Sequence, residues 1–145
     1  MSDIYDILPS HLSSATEPEK KMFFQALVCL SGIDGHTDPE EIDFIADVAR
    51  SHGVENFDEI CDFANEQAVL DSLAQIKNRP LALELIRELC MLAHIDNVLS
   101  DEETLFIGKA GLAMGIEIEK IEQISNWIID RIIWLEQAKI IFEEK

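Results

Sequence analysis

The residues best suited to chemistry in this chain are four carboxylates, Asp34, Glu41, Asp96 and Glu103, which form two Asp-x6-Glu pairs, one in each half of the sequence. Carboxylate oxygens on neighbouring helix ends are ligands for a hard divalent cation such as calcium, magnesium or manganese, and zinc also accepts them. Asp34-Gly35 followed by Glu41 reproduces the back half of a calcium-binding EF-hand loop, with Asp and Gly in the fifth and sixth positions and Glu in the twelfth. Asp38 falls at the ninth position. The first and third positions, however, are Leu30 and Gly32 in one copy and Leu92 and His94 in the other, so a complete EF-hand is excluded. What remains is a pair of half-sites that could be gathered into one oxygen-rich cluster if the two copies pair.

A structural reading accounts for part of the same pattern. Asp38 and Ser100 suit helix N-caps, and Glu41 and Glu103 can reach back from the third helical position to close capping boxes. Asp34 and Asp96 fit less well. Each follows a helix, and with Gly35 and Asn97 in the left-handed position beyond it, the exposed carbonyls disfavour a carboxylate by roughly 0.3–1 kcal/mol. The residues leave cation binding and solvated capping both open. His36 and His94 flank the two acidic loops and are candidates to join a cation site.

The elements that must position these residues are helices. Thr16-Glu17-Pro18-Glu19 has the form of a capping box, and Phe23, Ala26, Leu27 and Leu30 follow at helical spacing to an end near Ile33-Asp34-Gly35. A second helix begins at Asp38-Pro39-Glu40-Glu41, carries the stripe Ile42, Ile45, Ala46 and Ala49, and stops at Gly53. A third is expected over Phe57 to Leu73, with Ile60, Ala64 and Ala68 along one side. Beyond the breaker Lys77-Asn78-Arg79-Pro80, Leu85, Ile86, Leu89, Leu92 and Ala93 face inward. Ser100-Asp101-Glu102-Glu103 opens the next helix, which ends at Gly115. The last helix starts near Glu117 and reaches Phe142; its apolar positions Ile121, Ile124, Ile128, Ile132 and Leu135 step by three and four residues, and Ile121, Ile124, Ile128 and Leu135 are expected to be buried. No segment alternates with period two, so no strand is predicted.

An internal repeat organises these helices. The shift that lays Ile33-Asp34-Gly35 on Ile95-Asp96-Asn97 also lays Glu40 and Glu41 on Glu102 and Glu103, Phe44-Ile45 on Phe106-Ile107, and Gly53 on Gly115. The expected fold is an all-α, compact multi-helical bundle of two helix-loop-helix units, about 17–76 and 79–142, in one domain spanning 1–145.

Composition sets the boundaries on function. Eleven Lys and Arg stand against 29 Asp and Glu, a formal net charge of −18. That field repels phosphate backbones and anionic lipid and attracts cations or basic protein surfaces. No nucleic acid and no integral membrane segment is expected, since no uncharged apolar run nears the roughly 18 residues of a span. Cys29, Cys61 and Cys90 have no CxxC spacing and read as buried thiols of a cytoplasmic protein. Cys90 and His94 lie one helical turn apart, but Leu89, Met91 and Leu92 around the thiol favour packing over nucleophilic catalysis. No hydrolase, P-loop or dinucleotide motif is present, and no enzymatic activity is expected.

The sequence Ser31-Gly32-Ile33-Asp34-Gly35-His36-Thr37-Asp38-Pro39-Glu40-Glu41, with its second copy Ala93-His94-Ile95-Asp96-Asn97-Val98-Leu99-Ser100-Asp101-Glu102-Glu103, resembles the hallmark of the TerB-like tellurite-resistance family. The resemblance runs from about Phe23 to Trp127. It implies a helical fold of two repeated units, an acidic patch for metal ions at Asp34, Glu41, Asp96 and Glu103, and a role in tellurite resistance or a general stress response. Asn97 departs from the family's Gly. Family members also serve as interaction modules, which implies the alternative function of a metal-free scaffold binding a basic protein partner through its acidic face. Finally, Trp127 to Leu135 is apolar on more than one side. It reads either as a central helix buried on most sides or as a patch at Ile133 and Trp134 for a partner or a second copy, giving a homodimer through the last helix.

Overall fold

A computed structural model of the chain describes residues 10–33, 39–54, 66–94 and 100–143. Among them, a short 3-10 turn (Leu12–Ser14) precedes six α-helices: α1 (Glu17–Ser31), α2 (Pro39–Ser51), α3 (Glu66–Leu73), α4 (Arg79–Ala93), α5 (Asp101–Ala113) and α6 (Ile118–Ile141). The described residues contain no strand, as the lack of period-two patterning predicts.

The helix boundaries follow local chemistry. Thr16 caps α1 in a complete capping box: its Oγ1 accepts from the Glu19 N–H at 3.2 Å, while Glu19 Oε1 accepts from the Thr16 N–H at 2.9 Å. Ser100 and Glu103 repeat the arrangement at the start of α5. Asn78 caps α4, accepting from the Leu81 N–H at 3.4 Å, with Pro80 in the first turn where its missing donor costs nothing. Gly53 and Gly115 end α2 and α5 with φ of 78° and 77°. Each lies in a Schellman turn: the Val54 N–H donates to the Ala49 carbonyl at 2.9 Å, and the Ile116 N–H to the Gly111 carbonyl at 2.8 Å. The shift that carries Asp34 onto Asp96 also carries both bounds of α1 onto those of α4, and both bounds of α2 onto those of α5.

Packing centres on α1 against α4. Phe23, Phe24, Leu27 and Leu30 of α1 and Leu81, Leu85, Ile86, Leu89 and Leu92 of α4 are at most 1% exposed. Phe23 and Phe24 meet edge to face with ring centroids 5.3 Å apart. Around this pair, α2 and α3 pack on α1, α5 and α6 pack on α4, and α3 touches α5. Leu12, fully buried, brings the N-terminal turn into the same core.

Three expectations need correction. α1 ends at Ser31 with Gly32 as its C-cap, before Ile33. In α3 the buried side is Val69, Leu70 and Leu73, and Ala68 is exposed, because the bulkier side chains gain more by burial. The remainder of that predicted helix, with Ile60 and Ala64, lies outside the described residues. In α6, Ile121 and Ile128 are buried and Ile124 and Ile132 partly so, but Leu135 is 40% exposed. At 24 residues α6 is about 36 Å long. It is longer than the 15- and 13-residue helices beside it, and its last turn is largely exposed, with Ile140 at 78% and Ile141 at 70%. The Trp127–Leu135 segment is therefore not a helix buried on most sides.

Ile128 and Leu135 make the contrast measurable. In dilute solution, truncating fully buried Ile128 to Ala should cost about 2–5 kcal/mol in denaturant melts, whereas Leu135→Ala should stay within about 0.5 kcal/mol. Equal losses at the two positions would mean that α6 packs differently.

Candidate functional site

Of the four predicted ligands, Glu41 and Glu103 can be described, whereas Asp34 and Asp96 lie outside the described residues. Glu41 and Glu103 occupy the third position of α2 and α5, and both are buried, at 5% and 6% exposure. Burying a carboxylate is costly unless its oxygens are satisfied. At Glu103 the cap does this: Oε1 accepts from the Ser100 N–H at 3.0 Å, and the Glu103 N–H donates to Ser100 Oγ at 3.1 Å. Among the described residues, no three His, Cys, Asp or Glu side chains are grouped to hold a metal ion.

A second polar site lies on α4, where Glu84, Arg87 and Glu88 sit among apolar residues. Glu84 is 5% exposed and ties down the N-terminal segment: Oε2 accepts from Ser10 Oγ at 2.8 Å, and Oε1 accepts from the His11 N–H at 2.6 Å. The Arg87 guanidinium lies 4.0 Å from Glu84 and 3.1 Å from Glu88. Burial holds the Glu88 carboxyl above the ordinary carboxylate range, against the opposing pull of Arg87. His52, past the end of α2, is half-buried, and its pKa is lowered by burial, with Lys20 and Arg87 adding to the effect and Glu84 opposing it.

Beside this network α4 and α6 form an open groove of about 440 Å³. Pro80, Leu83, Ile124 and Trp127 supply apolar walls, and Glu84, Arg87, Lys120 and Gln123 supply polar groups, with His11 also lining it. A volume in this range with few polar groups is typical of a binding cleft. Lys120 donates to Gln123 Oε1 at 2.9 Å, and Trp127 is 47% exposed. The sequence reading missed this groove. Its local trace is the charged set Glu84, Arg87 and Glu88 inside an otherwise apolar helix.

The thiols are set for packing. Cys29 and Cys90 are free and buried, and burial pushes them up to about 11 and about 12, which leaves almost no thiolate at neutral pH. Cys61 lies outside the described residues. Among the described residues no helix is long and apolar enough to cross a membrane.

Glu88 gives a pH-dependent test. The folded protein holds its proton more tightly than the unfolded chain, whose value is near 4.5. Its contribution to stability is thus present below that pH and lost as pH rises through the higher folded value. Glu88→Gln should therefore raise the melting temperature at pH 7, with the gain fading toward pH 4. A loss at every pH would show that the Arg87 contact outweighs burial. No protein-family model, no curated protein and no solved structure matches this chain.

Proposed function

We propose that this chain is a non-enzymatic, cytoplasmic, TerB-like protein of two repeated helix-loop-helix units that binds a divalent cation at its acidic corners, in tellurite resistance or a general stress response. The observation carrying this reading is the equivalence of Glu41 and Glu103. Both are buried in the first turn of the second helix of a corner, at positions that the repeat superposes, and each follows an Asp at the same spacing. A net charge of −18 concentrates cations around such sites. Asp34 and Asp96 would complete the ligand set, and a cation would offset the repulsion among four carboxylates.

A second reading is the metal-free scaffold that binds a basic partner through its acidic face. It is favoured by the use of the Glu103 carboxylate in a capping box, a role that needs no ion.

Thermal melts of the demetallated protein with calcium, magnesium, manganese or zinc separate the two. Cation binding stabilises by about 2.7 kcal/mol at a hundredfold excess over Kd. Asp34→Asn with Asp96→Asn should abolish the gain while leaving the helical content of the metal-free protein unchanged. Glu41→Gln with Glu103→Gln should abolish it too while keeping the Ser100 cap, because Gln also closes a capping box. No shift of the wild-type melt at millimolar ion removes the cation reading and leaves the scaffold. An undiminished shift in the double variants means the ion binds elsewhere.

A further inference from the structure

The unused feature of the molecule is the outer face of α6. Ile124, Trp127, Arg131, Trp134, Ala138 and Ile141 follow one another at alternating steps of three and four residues, the spacing of a helix-pairing seam. Trp127, Trp134 and Ile141 are 47%, 59% and 70% exposed, and Leu135 and Phe142 flank them at 40% and 72%. The seam is continuous with the α4–α6 groove, because Ile124 and Trp127 belong to both. These five exposed side chains offer on the order of 700 Å² of apolar surface, above the patch a monomer ordinarily shows and near the roughly 800 Å² each partner gives to a standard interface.

We infer that α6 forms an antiparallel homodimer in which the exposed end of one copy's helix lies in the groove beside Trp127 of the other. A pairing centred on Trp134 sets Trp127 against Ile141 of the second copy, since the two stand equally far from that centre in sequence. The contact is self-complementary and closes after two copies. Charge favours this direction. The helix C-terminus carries partial negative charge and is followed by Glu143, and Lys120 lines the groove that receives it, beside an Arg87 that already faces Glu84 and Glu88. The antiparallel arrangement also keeps the two strongly acidic bodies at opposite ends of the pair, whereas a parallel one would bring them side by side. The inference is independent of cation binding at the acidic corners.

Sedimentation of the full chain over a concentration series, with chelator present, should show a monomer–dimer equilibrium. Both tryptophans of the chain lie on the seam, so their emission should shift to shorter wavelength as the dimer forms. Trp134→Glu and Ile141→Glu should each weaken the dimer at least tenfold while leaving helical content unchanged. Leu105→Glu, at an exposed position on α5, should not. In a Trp127→Cys, Ile141→Cys variant, oxidation should join 127 of one copy to 141 of the other. A chain that stays monomeric at about 100 μM, a concentration that populates even weak pairs, overturns the inference. A dimer indifferent to both Glu variants overturns it too. Exclusive 127–127 and 141–141 linkage overturns the docking in the groove. Binding of the monomer to neutral vesicles without self-association assigns the seam to lipid and overturns the inference as well.

Discussion

α1 and α4 bury side chains around most of their circumference, and their mutual contact decides where the other helices go. Neither helix can satisfy its apolar surface against the other alone, since a helix contact covers only one stripe of each. The uncovered stripes of α1 recruit α2 and α3, and those of α4 recruit α5 and α6. The capping boxes at Thr16 and Ser100 and the left-handed glycines at 53 and 115 act within this constraint by fixing where each chain segment turns. Gly111 shows how tight the result is. A Cβ there would collide with the end of the buried Ile121 side chain of α6, which would have to shift to admit it.

The dense core forces polar groups into unusual places. Glu41, Glu84, Glu88 and Glu103 are all buried in a chain already carrying a charge of −18. Each such carboxylate must be satisfied locally or neutralised. Glu103 does so through its own helix start, and Glu84 through Ser10 and the His11 backbone. Glu88 meets Arg87, and its raised pKa records the burial that this contact only partly offsets. The α4 network therefore has a structural role, fastening the N-terminal turn, and it also supplies cationic lining to the groove between α4 and α6.

Much of this was legible in the sequence wherever the cause is local. Capping boxes, the Asn78-Arg79-Pro80 break and the terminating glycines act over short stretches of chain, and the helix bounds fall close to where those signals put them. The inward stripe of α4 was legible too, because its apolar residues are large and regularly spaced. The network joining Ser10 and His11 to Glu84 was not, since its partners are 74 and 73 residues apart and no local pattern pairs them. Nor could periodicity tell that Leu135 is exposed. It identifies an apolar face, but the lengths of neighbouring helices decide how much of that face is covered. As for the acidic site, the sequence located the paired Glu residues at equivalent helix starts, while Asp34 and Asp96 fall outside the described residues.

Native-state hydrogen exchange followed residue by residue tests the primacy of the α1–α4 contact most directly. If that pair is the support for the rest, the amides in the middle of α1 and α4 exchange slowest, at one shared free energy equal to that of global unfolding. The amides of α2, α3 and α5 then open at lower cost. Exchange of α1 well before α4, or stronger protection in α5 than in either, would contradict the account.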